Sequence, residues 1–203
     1  MKTPLLLLIL AIACPAYVFA QSGRRVTTPP TAPLPPVQAP LHPEPEAAAP
    51  PPPPRALISL PETLLERRIR ALDGKSFRLA DFQGKVLVIN LWASWCGPCR
   101  REVPEYEEVR KDYSGRGVEF IGLTPEDPSE AAGNVRNFVH ATQFGFLLGW
   151  ADREMARTLM NGRQSIPQTI VIDTKGSVIS HWAGYARGRN GDRLREAIDN
   201  ALQ

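Results

Sequence analysis

Residues 85–99 read KVLVINLWASWCGPC. Lys85–Ala93 is a continuous apolar run rich in β-branched residues, the pattern of a strand buried on both faces. Gly97-Pro98 interrupts it. A proline loses little at a helix start, because its missing N–H would be one of the unpaired donors there and its fixed φ suits the first turn. From Gly97 to about Tyr113 the apolar residues Val103, Tyr106, Val109 and Tyr113 recur at helical spacing. The stretch therefore reads as strand, tight turn, helix, with Pro104 expected to kink the helix. Cys96 and Cys99 stand where the strand hands over to the helix. In an open α/β sheet this carboxyl end of the strands is where sites form.

Two cysteines at this spacing fit half a metal site, a structural staple or a reactive dithiol. The chain has 3 cysteines and 3 histidines. Cys14 lies in an apolar leader, His42 in a proline tract, and His140 and His181 are scattered, so the four ligands of a zinc site are not assembled. Neither a metal nor a cofactor is expected. A staple across so short a loop removes little chain entropy. Redox chemistry remains. The unpaired N–H groups and partial positive charge of a helix N-terminus favour a thiolate at Cys96. Cys-x-x-Cys pairs at such positions have thiol pKa values lowered from about 8.5 into a range of roughly 3.5–7.5. Only the thiolate attacks a disulfide. Cys96 is thus the expected nucleophile and Cys99, one turn in, the resolving thiol. Gly97 keeps the approach open, Trp95 offers apolar surface to a partner, and Trp92 reads as core.

Outward from this centre, the N-terminus reads as targeting sequence. Lys2 precedes the apolar run Leu5–Ala13, Pro15 breaks it, and Val18-Phe19-Ala20 places small residues before Gln21. Cleavage there, lipidation at Cys14 and retention of Pro4–Ala20 as a membrane anchor are three readings, and all place the rest of the chain outside the cytoplasm. Residues 21–55 hold most of the 21 prolines and lack apolar periodicity. They read as an extended polyproline spacer, either a stalk or a solvated tail. The folded domain is expected over 56–203. The net charge of +3 is unclustered, which argues against a nucleic-acid surface.

Within that domain, RIRALDGKSFRLADF alternates about Asp73-Gly74 as a hairpin, and GVEFIGLT is a second buried strand. SEAAGNVRNFVHATQ is a helix with Ser129 as its expected cap, FGFLLGW a short strand or loop, and DREMARTLMNG a short helix ended by Gly162. PQTIVIDTKGSVISHWAG is a strand pair turning at Lys175-Gly176, and GDRLREAIDNALQ a closing helix. The order implies an α/β fold: a mixed central sheet with helices on both faces and an N-terminal β-hairpin.

The segment FQGKVLVINLWASWCGPCRREVP resembles the thioredoxin superfamily, and within it the exported TlpA/ResA-like thiol–disulfide oxidoreductases, over roughly residues 68–203. The resemblance implies a thioredoxin-like fold and a cis peptide at Ile166-Pro167 in SIPQTIVID. It implies a client site formed by Trp95, Gly97, Pro98, Ile166 and Pro167. Glu102 falls where this branch often carries an acidic group near the dithiol, which gives it two readings, a proton relay for Cys99 and an ordinary carboxylate near a helix start. Asn90 departs from the aspartate of cytosolic thioredoxin and cannot titrate. The implied partners are protein disulfides and a membrane electron donor of the CcdA/DsbD type, in cytochrome c or copper-site maturation in the periplasm. A disulfide oxidase or isomerase, a stalked binding module with an incidental dithiol, and a thiol peroxidase are the competing readings.

Overall fold

The computed structural model describes residues 59–203; the leader and the proline-rich segment lie outside the described residues. Seven strands form one mixed sheet in the order β2 (Ser76–Phe77), β1 (Ile69–Ala71), β5 (Leu147–Trp150), β4 (Val118–Thr124), β3 (Val86–Leu91), β6 (Gln168–Ile172) and β7 (Val178–Ala183). β3 (Val86–Leu91) is central, parallel to β4 (Val118–Thr124) and antiparallel to β6 (Gln168–Ile172). All six residues of β3 are buried, as the unbroken apolar run requires.

The period of two along the strands divides the core. Val86 and Val88 face one cluster with Trp92, Phe120 and Val171; Leu87, Ile89 and Leu91 face the other with Ile121, Leu123 and Ile170. Three helices cover the first face: α2 (Gly97–Asp112), α3 (Pro128–Thr142) and α5 (Asn190–Ala201). The second is sealed by the leading segment with α1 (Glu62–Leu65) and by α4 (Arg153–Met160). Asn90, in phase with Val86 and Val88, therefore points toward α2.

The expected hairpin is present but short: β1 (Ile69–Ala71) pairs with a two-residue β2 (Ser76–Phe77). Asp81 ends it. Its carboxylate accepts from the Arg78 N–H at 2.8 Å and from the guanidinium, folding Leu79–Phe82 into a 3-10 turn. FGFLLGW resolves into strand β5 (Leu147–Trp150), parallel to β4 and antiparallel to β1, which joins the hairpin to the sheet. The α3 cap is Asp127 rather than Ser129. Pro128 takes the first helical position, and the Asp127 carboxylate accepts from both the N–H and the hydroxyl of Ser129. α4 ends at Asn161 in the left-handed region, with Gly162 following in the same conformation. β7 (Val178–Ala183) closes the far edge.

The register places three segments at one end of the sheet. Leu91 pairs with Leu123 of β4 and with Gln168 of β6. The loops after β3 and β4 and the segment before β6 therefore converge there.

Candidate active site

The dithiol lies at that end. Cys96 is the N-cap of α2, and its Sγ accepts the Cys99 N–H at 3.1 Å. The two sulfurs are joined as a disulfide. Gly97 and Pro98 form the first helical positions, and the first turn carries no acidic residue to offset the helix N-terminus. Cys99 is fully buried and Cys96 nearly so, whereas Trp95 is 73% exposed beside them. Trp92 is core, stacked on Phe138 and edge-on to Phe144. The Ile166-Pro167 peptide is cis, and Ile166 packs against the cluster that contains both cysteines. Pro167 O accepts the Gly184 N–H at 2.8 Å.

Behind the dithiol is a buried polar cluster. Glu102, one turn beyond Cys99, is 1% exposed. Its Oε2 accepts from Asn90 Nδ2 at 2.9 Å, and its Oε1 from Asn190 Nδ2 at 2.7 Å. Tyr106, a further turn along, shares a 2.9 Å hydrogen bond with Thr169, the register partner of Asn90. Burial pushes the Glu102 carboxyl up to about 7, against the opposing pull of the two asparagine donors. The reading of Glu102 as an ordinary carboxylate near a helix start does not fit this burial. Such a group would be solvated and lowered, whereas this one is buried and raised.

The loop carrying the dithiol has its own brace. Glu126, just beyond β4, accepts from the Ser94 N–H and the Ser94 hydroxyl at 2.6 Å each, and from the Thr124 hydroxyl at 2.9 Å. Sequence patterns do not single out Glu126, and its neighbour Asp127 is used in capping α3. Asn190 was missed as well. It sits 88 residues from Glu102, and only the register and the packing of α5 reveal the pairing. His140 is exposed on α3. His181 lies in β7 with Arg163 and Gln168 as partners.

A dithiol at a helix N-cap, beside a cis-proline on a mixed sheet, defines the class: a thioredoxin-like thiol–disulfide oxidoreductase. Residues 59–181 match the AhpC/TSA family, and the chain belongs to that family. It is 35% identical over 134 residues to the thiol-disulfide oxidoreductase ResA of Bacillus thuringiensis subsp. konkukian (strain 97-27), covering 65% of this chain and 70% of that protein. Its fold is similar to a thiol:disulfide interchange protein of the thioredoxin family from Chlorobium tepidum TLS. The TM-score is 0.61 at 27% identity, over 73% of this chain and 99% of the other. A secreted disulfide oxidoreductase of Mycobacterium tuberculosis, homologous to E. coli DsbE, has a similar fold at TM-score 0.58 and 20% identity, over 69% and 99%.

Proposed function

We propose that the protein is an extracytoplasmic reductant of protein disulfides. Reduced Cys96, as thiolate, attacks a client disulfide; one client sulfur leaves and a mixed disulfide forms. Cys99 passes its proton to the Glu102 carboxylate and attacks Cys96 Sγ. The second client sulfur leaves as thiolate and takes a proton. Two electrons have moved from the dithiol to the client, and Cys96–Cys99 is oxidised. A membrane donor of the CcdA/DsbD type then returns two electrons. Trp95, Gly97, Pro98, Ile166 and Pro167 line the client site, and cytochrome c or copper-site maturation supplies the clients.

The observation that carries this reading is the pairing of an N-cap Cys96 with a buried Glu102 whose pKa is about 7. A relative named thiol-disulfide oxidoreductase supports the exchange chemistry. The apolar leader pattern, with small residues before Gln21, supports the compartment. The Gly-Pro dipeptide between the cysteines, shared with thioredoxin, supports the reductive direction.

Two measurements test it. Cys99→Ser should trap mixed disulfides through Cys96 in a periplasmic extract, and recovery of none would favour a binding module. Equilibration with glutathione should place the couple toward thioredoxin, near −270 mV; a value near the roughly −120 mV of DsbA would make the protein an oxidase. Turnover of hydrogen peroxide at rates comparable with disulfide reduction would instead make it a thiol peroxidase.

A further inference from the structure

Beside the cis-proline segment lies a groove of about 520 Å³. Pro125 and Arg153, Arg157 and Met160 of α4 line it, and Arg163 and Gln164 close it. Three cations face this groove and no carboxylate lines it. The reason lies in how the neighbouring acids are used. Arg67 pairs with Asp152 and Glu154 at 2.8 and 2.6 Å. Asp152 also caps α4 through the Met155 N–H. Glu126 is taken by Ser94 and Thr124, and Asp127 by Ser129. Among the described residues Arg153, Arg157 and Arg163 form no ion pair.

Arg163 is nonetheless held in place. Its guanidinium donates to His181 Nδ1 at 3.0 Å, His181 Nε2 donates to Gln168 Oε1 at 2.9 Å, and Gln168 Nε2 donates to Ser165 O at 2.7 Å. Burial and the Arg163 charge together lower the His181 pKa to about 4. The imidazole is therefore neutral and fixes Arg163 without cancelling its charge. The brace clasps the chain on both sides of the segment leading to Ile166-Pro167, so the groove wall and the cis-proline edge are one unit. The opposite wall, Pro125, adjoins the Glu126 that holds the dithiol loop.

We propose that this groove seats an acidic stretch of the client polypeptide flanking its disulfide, with Arg153, Arg157 and Arg163 facing its carboxylates while the disulfide meets Cys96. The proposal rests on the thiol–disulfide exchange reading. A polypeptide fits better than a single phosphate group. Arg153 and Arg157 are one helical turn apart, Arg163 stands on a separate segment, and apolar Pro125, Ala156 and Met160 share the lining with them. Spaced charges over apolar surface match carboxylates distributed along a chain rather than converging on one anion.

The test uses the full chain and three synthetic disulfide peptides that share one cysteine loop and differ in a flanking tetrad of Glu, Gln or Lys. The acidic peptide should be reduced roughly tenfold faster than the basic one at low ionic strength, and the preference should shrink as salt screens the charges. Arg153→Glu with Arg157→Glu should abolish or invert the preference while leaving the Gln-flanked rate unchanged. Arg153→Gln with Arg157→Gln should narrow it. Equal rates for the three peptides, or a preference that survives the charge reversal, would overturn the proposal. A Cys96→Ser chain separates this from failure of the exchange reading, because it cannot exchange disulfides. It should still bind the acidic peptide more tightly than the basic one, read from Trp95 fluorescence. Equal affinity overturns the groove, whereas failure of the unsubstituted chain to reduce any of the three peptides, with this binding preference intact, overturns only the chemistry. Binding of anionic phospholipid vesicles without discrimination among the peptides would also overturn it.

Discussion

Burying an ionised carboxylate in a protein core is unfavourable unless donors surround it. Glu102 has two, one from β3 and one from α5, and they do not offset the burial: its folded pKa lies near 7 against an ordinary 4.5. The folded state thus holds this proton more tightly than the unfolded chain. The associated stability is complete below about pH 4.5 and is lost as pH rises through 7, by about 3 kcal/mol for a shift of this size. Urea unfolding across pH 4.5–8 should show that slope, and Glu102→Gln should flatten it. Asn90 Oδ1 is buried without a partner, so a rotated Asn90 amide can accept from the new glutamine. The same geometry explains Asn90. An aspartate there would set a second carboxylate against Glu102 and remove a donor. Asn90→Asp should cost about 3 kcal/mol at pH 8, and Asn90→Asp with Glu102→Gln should recover most of it. Absence of that recovery would mean the two side chains are not coupled. The sequence displayed Asn90 as a departure from thioredoxin and Glu102 as an acidic position of the exported branch, two separate observations; their contact depends on which face of β3 meets α2, a tertiary fact.

At the scale of elements, the site is an assembly of strand ends held by side chains from neighbouring loops. The strands with unbroken apolar runs, and the helix starting after Cys96, were legible because burial on both faces and helical spacing each leave a direct imprint on composition. Loop interactions leave less. Asp81 shortens β2 by folding the next residues into a turn, and Asp127 displaces Ser129 as a cap because proline fills the first helical position. Glu126 carries no sequence pattern of its own, because its three acceptor contacts join it to Ser94 and Thr124 only once β3 and β4 lie side by side. Those contacts hold the loop 92–95 that sets the direction of α2 and hence the exposure of Cys96. Glu126→Ala should therefore cost about 2 kcal/mol of stability. It should also slow exchange with a small uncharged disulfide several-fold in the folded protein. Stopped-flow Trp95 fluorescence reads the second effect. An unchanged rate alongside lost stability would assign Glu126 to folding alone.

Across the whole molecule, the sheet separates two apolar layers with different duties. The layer under α2, α3 and α5 includes the dithiol and encloses the Glu102 cluster; the layer under α4 is closed by the chain leading into β1. Leu60 and Leu64 of that leading chain are 5% and 4% exposed, and Ser59 bridges Ser177 at the foot of β7. Arg67 adds the ion pairs to Asp152 and Glu154. None of these groups reaches the catalytic face. A chain beginning at Arg68 should therefore lose about 4 kcal/mol, mainly from uncovering apolar surface around two leucine positions. At a temperature where it remains folded, its rate with a small uncharged disulfide should match that of the full chain. Denaturant unfolding followed by Trp92 emission, together with turnover at matched folded fractions, distinguishes the two effects. A rate that falls in proportion to the lost stability would show that the two layers are mechanically coupled, and the dithiol would then be sensitive to whatever is attached upstream of the domain.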